Sequence, residues 1–144
     1  MAGTCRRRSL WSIQIKRSGW KWEKLLWHTL VQVEQLRKPR KNEIKPVAPY
    51  TKADLNWMDK KSRSSVEMND RASRPQVVTG DVDITAYDTV FLGFPIWWYT
   101  APTIINSFLE SRDFSGKKII VFATSGGSGL GKTVRDLQAS APAA

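Results

Sequence analysis

Three stretches of the chain carry side chains whose types and spacing could do chemistry. The first is Trp97-Trp98-Tyr99, three adjacent aromatic rings between Pro95 and Pro102. Flat rings stack on flat ligands, and successive residues leaving a strand point to opposite sides, so at least one Trp should face an adjoining cleft. The second is Thr124–Gly129, TSGGSG, where glycines let backbone approach a ligand without a Cβ clash. The third overlaps it. Gly126–Thr133, GGSGLGKT, fits a nucleotide-binding pattern in which Lys132 would reach the β- and γ-phosphates and Thr133 would hold Mg²⁺. Such a nucleotide fold needs more strands beyond its loop, one of them ending in an Asp for the metal, and only 11 residues follow Thr133.

The remaining reactive residue types lack partners. Ser125 and Ser128 have no nearby base, so nucleophilic catalysis finds no support. His28 has no companion at ligand or catalytic spacing. Asp81, Asp83 and Asp88 cluster without a His or further ligand, which reads as a solvated loop rather than a metal site. Cys5 is the single cysteine, so the chain forms no internal disulfide and nothing argues for an oxidising compartment. No catalytic side chain and no metal ligand are assigned.

The elements that would position the two loops are legible. Asp88–Leu92 is a β-branched and aromatic run ended by Gly93 and Pro95, the pattern of a buried parallel strand. Ala101–Leu109 places Ile104, Ile105, Phe108 and Leu109 at near-helical spacing, with Pro102 in the first turn. Phe114–Gly116 is a turn, Lys118–Ala123 a second apolar strand, and Lys132–Ala139 a helical tail. Two strands joined by one helix make a right-handed βαβ unit. Ligands of open α/β sheets sit at the carboxyl ends of the strands, where both unusual loops fall.

FLGFPIWWYTAP, then FLESRDFSGKKII, then TSGGSGLG, in this order and spacing, resembles the flavodoxin family, in its bacterial flavodoxin-like oxidoreductase branch. The resemblance covers roughly residues 43–142. It implies an α/β fold, the doubly wound parallel sheet of that family in strand order 2-1-3-4-5, with FMN at the switch point. It places Pro95, Ile96, Trp97, Trp98, Tyr99, Thr100 and Ala101 beside the flavin ring, with an aromatic stacking on it. Thr124, Ser125, Gly126, Gly127, Ser128 and Gly129 would lie along the ring's other edge. The implied function is one- or two-electron transfer through FMN, as a carrier or a flavin-dependent oxidoreductase, with an unidentified redox donor and acceptor.

Between the second and third strands of that pattern, the segment starting at Pro49 should contain a turn and a helix. Asp54, Leu55, Trp57, Met58 and Lys61 suit an amphipathic turn or two with a solvated charged face, and the polar run Asn69–Pro75 should end it. EIKP, from Glu43, resembles the second strand, cut short by Pro46.

The front of the chain does not fit. Its 144 residues carry a net charge of +10 and a pI near 10.1, but residues 1–42 hold 11 Lys+Arg against 2 Asp+Glu. Residues 43–144 hold 12 against 11, and four of the seven Trp lie in the front piece. The chain therefore divides into a basic Trp-rich leader, 1–42, and a partial flavodoxin-like domain, 43–144. Basic residues interleaved with Trp suit nucleic acid, an alternative tested by salt-dependent binding that vanishes when the leader is deleted. Arg6–Arg8 with few acids also resembles a transit peptide. No apolar run reaches the roughly 18 residues of a membrane helix, so no membrane partner is expected and the location implied is cytoplasmic.

Family members begin with an apolar strand, a Ser/Thr-Gly phosphate loop and a helix, all absent here. Lys21–Asn42 can be back-translated so that reading from the third base gives MGKTIVAYFSASGTTAKAAEK: an initiator, a first strand, a SASGTT loop and a helix start. The leader is therefore read as a frame-shifted version of the missing first βα unit, with about ten further residues of the family pattern deleted before EIKP. The expected fold is incomplete, its first and last strands missing or replaced. Ser9–Ile15 alternates weakly and Leu25–Leu36 could form an amphipathic helix, so the front should be disordered or loosely helical beside unpaired sheet backbone. Loss of the phosphate loop should impair FMN binding.

Overall fold

The computed structural model of the chain describes residues 11–14, 30–34, 40–78 and 83–144. His28, Cys5, Arg6–Arg8 and Asp81 lie outside the described residues.

Two long strands form the middle of the sheet. Strand β4, Thr89–Pro95, and strand β5, Lys118–Thr124, pair in parallel from Thr89↔Lys118 to Pro95↔Thr124. Helix α2, Thr103–Glu110, crosses between them, as the apolar spacing required. Val90, Leu92 and Phe94 of β4 alternate inward with Ile119, Val121 and Ala123 of β5. They bury against Ile104, Ile105, Phe108 and Leu109 of α2 and Leu137 of helix α3, Thr133–Gln138. Phe108 and Phe114 meet edge-on, with centroids 5.8 Å apart.

Strand β4 ends at Pro95, as expected, but runs on through Gly93. Gly93 pairs with Phe122, and the Phe122 ring lies over it so closely that a Cβ there would sit 2.3 Å from Phe122 Cζ. The glycine is thus a packing device in a strand rather than a breaker. Pro102 caps α2 from outside instead of occupying its first turn.

The segment between β3 and β4 contains the expected turn and helix. Lys52–Lys61 forms successive turns, and the helix, α1, lies later at Arg63–Asn69. Ser62 caps it by accepting from the Ser65 amide, the arrangement a Ser-first start favours. The polar run from Asn69 does end it, with Asp70 at the C-cap.

Three short strands come from the front of the chain: β1, Trp11–Gln14, β2, Leu30–Glu34, and β3, Arg40–Glu43. The sheet order is β1-β5-β4-β2-β3. Where described, the front is strand rather than helix, and the sheet has a strand in the slot between β3 and β4. β2 fills the place between β3 and β4, and β1 pairs in parallel on the far side of β5. The expected helix over Leu25–Leu36 gives way to a strand at Leu30–Glu34, where Val31 and Val33 are β-branched and an edge of β4 is available.

β2 is antiparallel to both neighbours. Only residues 35–39 separate it from β3, too short for a crossover, which takes a dozen or so residues. β3 runs in the direction of β4, so a strand tied to it by so short a link must run the other way. β2 and β1 occupy the slots of the first and last strands, so the α/β sheet is incomplete in the sense that these strands are replaced. EIKP contributes Glu43 to β3, after which Ile44 enters the core and Pro46 bridges Val77.

Candidate functional site

The carboxyl ends of β4 and β5 bring the two candidate loops together. The Ile96 amide donates to the Thr124 carbonyl at 2.8 Å. Beyond Ile96 the chain turns back within four residues, with Trp97 N donating to Thr100 O at 2.9 Å and Thr100 N to Trp97 O at 3.0 Å. The closure puts Trp98 at φ 43° and Tyr99 at φ 67°, the left-handed region that bulky residues avoid. Such strain persists only where the surroundings enforce it. On the facing loop, a Cβ on Gly131 (φ 50°) would lie 3.1 Å from the Tyr99 carbonyl. A glycine there permits the two loops to touch.

The turn sorts the aromatic residues. Trp97 is buried, and its ring meets Tyr50 edge-on at 5.7 Å. Trp98 and Tyr99 are exposed, 42% and 69%. Thr100 and Ala101 are buried behind them, as is Pro95, while Ile96 is half-buried. Of the Pro95–Ala101 residues, Trp98 and Tyr99 present most surface to a ligand.

On the second loop, Gly126, Gly127 and Ser128 are exposed and Thr124, Ser125 and Gly129 are half-buried. A Cβ on Gly127 would meet nothing within 4 Å, so that side of the loop is open. The Ser125 hydroxyl accepts from the amides of Gly127 and Gly129, both at 3.1 Å. Those amides are therefore already engaged by the protein. In the nucleotide pattern GGSGLGKT, α3 starts at Thr133, whose side chain is fully buried with no hydrogen-bond partner for its hydroxyl among the described residues.

Residues not anticipated from the sequence hold this arrangement in place. Tyr50 donates its phenol to Glu67, and Arg63 donates to the same carboxylate at 2.7 Å while lying 4.1 Å over the Tyr50 ring. Burial, and then the hydrogen bond to Glu67, push the Tyr50 phenol above its ordinary range. Tyr50 and Trp97, with Ile44, Pro46, Pro95 and Ile104, line an apolar pocket of about 300 Å³ at the carboxyl ends of β3 and β4. Asp136 of α3 accepts from the Thr100 hydroxyl at 2.8 Å and from Arg71 at 2.9 Å, tying the aromatic turn to the helix after the glycine loop. A carboxylate in the last turns of a chain gives no local signal of such a role. Asp83 instead serves its own turn, accepting from the Thr85 amide and hydroxyl, which hold its carboxyl below the ordinary range. No group of three metal-ligating side chains occurs among the described residues.

A flat ring with polar edges fits the exposed aromatic pair and the open glycine face. An anionic tail finds less, since Ser125 already takes two of the loop's amides.

The described residues contain no helix long and apolar enough to cross a membrane. A family model described as flavodoxin matches residues 28–144, starting inside the leader rather than at Glu43. The chain is similar to a crystal structure named a "putative flavoprotein" from Bacteroides uniformis, at 52% identity and a TM-score of 0.66. That similarity covers 70% of this chain and 65% of the other. A second such structure, from Bacteroides eggerthii, shows 50% identity and a TM-score of 0.65 over 69% of this chain and 63% of its own. The chain thus spans less than two thirds of either neighbour's length. No curated protein matches it.

Proposed function

We propose a function from one premise: this chain belongs to the flavodoxin family. Its back two-thirds forms the ring half of a flavin site, and the flavin is FMN. Bound there, FMN would supply one- or two-electron transfer. The observation that carries this reading is the joined pair of loops at the carboxyl ends of β4 and β5, with Trp98 and Tyr99 held outward beside an open glycine face. Trp98 or Tyr99 stacks on the ring, and the Thr124–Gly129 backbone lies along its edge. Trp97 and Thr100 act from behind, fixing the turn through Tyr50 and Asp136.

FMN is held weakly by this chain. The strand in the central slot runs antiparallel, so its carboxyl end at Glu34 faces away from the site, where a phosphate loop following it would be useless. Three charge-assisted hydrogen bonds at ~1.5–3 kcal/mol each are then missing, which weakens FMN binding by roughly 10³–10⁶-fold. Quenching of flavin fluorescence tests this on the full chain and on a version with Lys21–Asn42 replaced by MGKTIVAYFSASGTTAKAAEK. The restored chain is expected to bind FMN tighter by that factor. Submicromolar FMN uptake by the unaltered chain overturns the impairment, and a folded restored chain that ignores flavin overturns the ring site. Codons for Trp22–Lys41 that place stops in the shifted frame would overturn the account of the leader.

A further inference from the structure

The segment Lys52–Lys61 leaves two large apolar side chains in water, Trp57 at 72% exposure and Met58 at 76%. Scattered exposed hydrophobic residues are ordinary, but these two share one groove with Trp98 from the aromatic turn. Lys60, Ser65 and Asn69 complete its walls, and its volume is about 630 Å³, within the range of small-molecule sites. Lys60 is the only charged side chain among the described lining residues.

The walls are set before any ligand arrives. Asp54 accepts from the amide and the hydroxyl of Thr51, each at 2.7 Å. Asn56 accepts from the Met58 amide at 3.2 Å, and Asp59 from the Lys61 amide at 2.8 Å. Short polar side chains thus pin the backbone that carries Trp57, Met58 and Lys60. On the opposite side the reciprocal Trp97–Thr100 bonds pin Trp98. Rigid aromatic surface lowers the entropy lost on binding.

We propose that this groove is a binding site for a small planar aromatic anion. The indoles of Trp57 and Trp98 and the Met58 thioether offer faces to a flat ring. The Lys60 ammonium faces the anionic group, with no lining carboxylate to repel it, and Ser65 and Asn69 supply hydrogen bonds. The site shares Trp98 with the flavin reading but does not depend on it, because none of the other five lining residues belongs to the two ring loops.

Naphthalene-2-sulfonate serves as probe and 2-naphthylmethanol as its uncharged counterpart, titrated calorimetrically into the full chain. The sulfonate is expected to saturate one site, and Trp57→Ala to weaken it by roughly three- to tenfold, the loss of one aromatic partner. Trp57 is mostly exposed, so far-ultraviolet circular dichroism should remain unchanged. Lys60→Glu should weaken the sulfonate and leave the alcohol and uncharged riboflavin unaffected, which separates this site's failure from failure of the flavin reading. No saturation up to about 1 mM, or equal affinity in Trp57→Ala, overturns the assignment. Equal binding of alcohol and sulfonate overturns its anionic part. Concentration-dependent dimerisation that Trp57→Ala abolishes also overturns it, assigning the groove to a second copy of the chain.

Discussion

Replacing Tyr99 with glycine is expected to stabilise the fold. Tyr99 sits at φ 67° in a four-residue turn, and 69% of it is in water, so truncation forfeits little burial. An L-residue in the left-handed region costs about 1–2 kcal/mol, which glycine does not incur. Glycine's greater freedom in the unfolded chain takes back about 0.5–1 kcal/mol. The net gain is then about 0.5–1 kcal/mol, and at a urea m-value of ~1–3 kcal/mol/M the midpoint rises by a few tenths molar. Tyr99→Ala is the control. It removes the ring and keeps the strained backbone, so its midpoint should stay near that of the parent. Equal midpoints for the glycine and alanine variants would show that the turn is not strained at Tyr99. Riboflavin, which lacks the phosphate, probes the ring half-site in the same proteins. If the Tyr99 ring stacks on flavin, both variants lose riboflavin affinity equally, although one is more stable and the other is not. Strain at an exposed aromatic residue would then be stability given up for a binding surface.

Other outcomes follow from packing and charge. Gly93→Ala should destabilise the chain by about 1–3 kcal/mol, because the new Cβ falls 2.3 Å from Phe122 Cζ. Combining it with Phe122→Ala should cost less than the sum of the two, and strict additivity in urea denaturation would refute the contact. Glu110 accepts two bonds from Arg74, at 2.7 and 2.9 Å, and one from the Ser140 hydroxyl at 2.7 Å. The Arg74 bonds chiefly, then Ser140, hold its carboxyl below the ordinary 4.5. A carboxylate depressed in the folded state stabilises above its unfolded value, and that contribution disappears as pH falls through the folded one. Arg74→Gln should therefore flatten the acid limb of the stability profile as pH falls below the ordinary 4.5 of Glu110. The change is small because both side chains are partly in solvent, and an unaltered limb would refute the linkage.

What the sequence determined by itself was the βαβ unit and the two loops it carries. Strands β4 and β5 and helix α2 each bury a run of neighbouring residues, so local spacing alone declares them. The family motifs lie on the same unit, whereas the composition break near Asn42 falls inside β3 and inside the span matched by the family model. Even within the βαβ unit, Pro95 ends β4 as its type suggests while Gly93 does not, because the residue that makes Gly93 necessary, Phe122, is 29 positions away.

Only the tertiary structure decided what the front of the chain does. Leu30–Glu34 is a strand because β4 offers an edge, and it is inverted because its short link to β3 allows no other direction. The same holds for the site: Trp97 turns inward and Trp98 outward, yet both are Trp in adjacent positions. Tyr50, Glu67, Arg63 and Asp136 enter from elements distant in sequence, and no local pattern marks them. Periodicity records which face of an element is apolar. Which neighbour covers that face, and from which end of the chain it comes, depends on pairings that form only when the whole sheet is assembled.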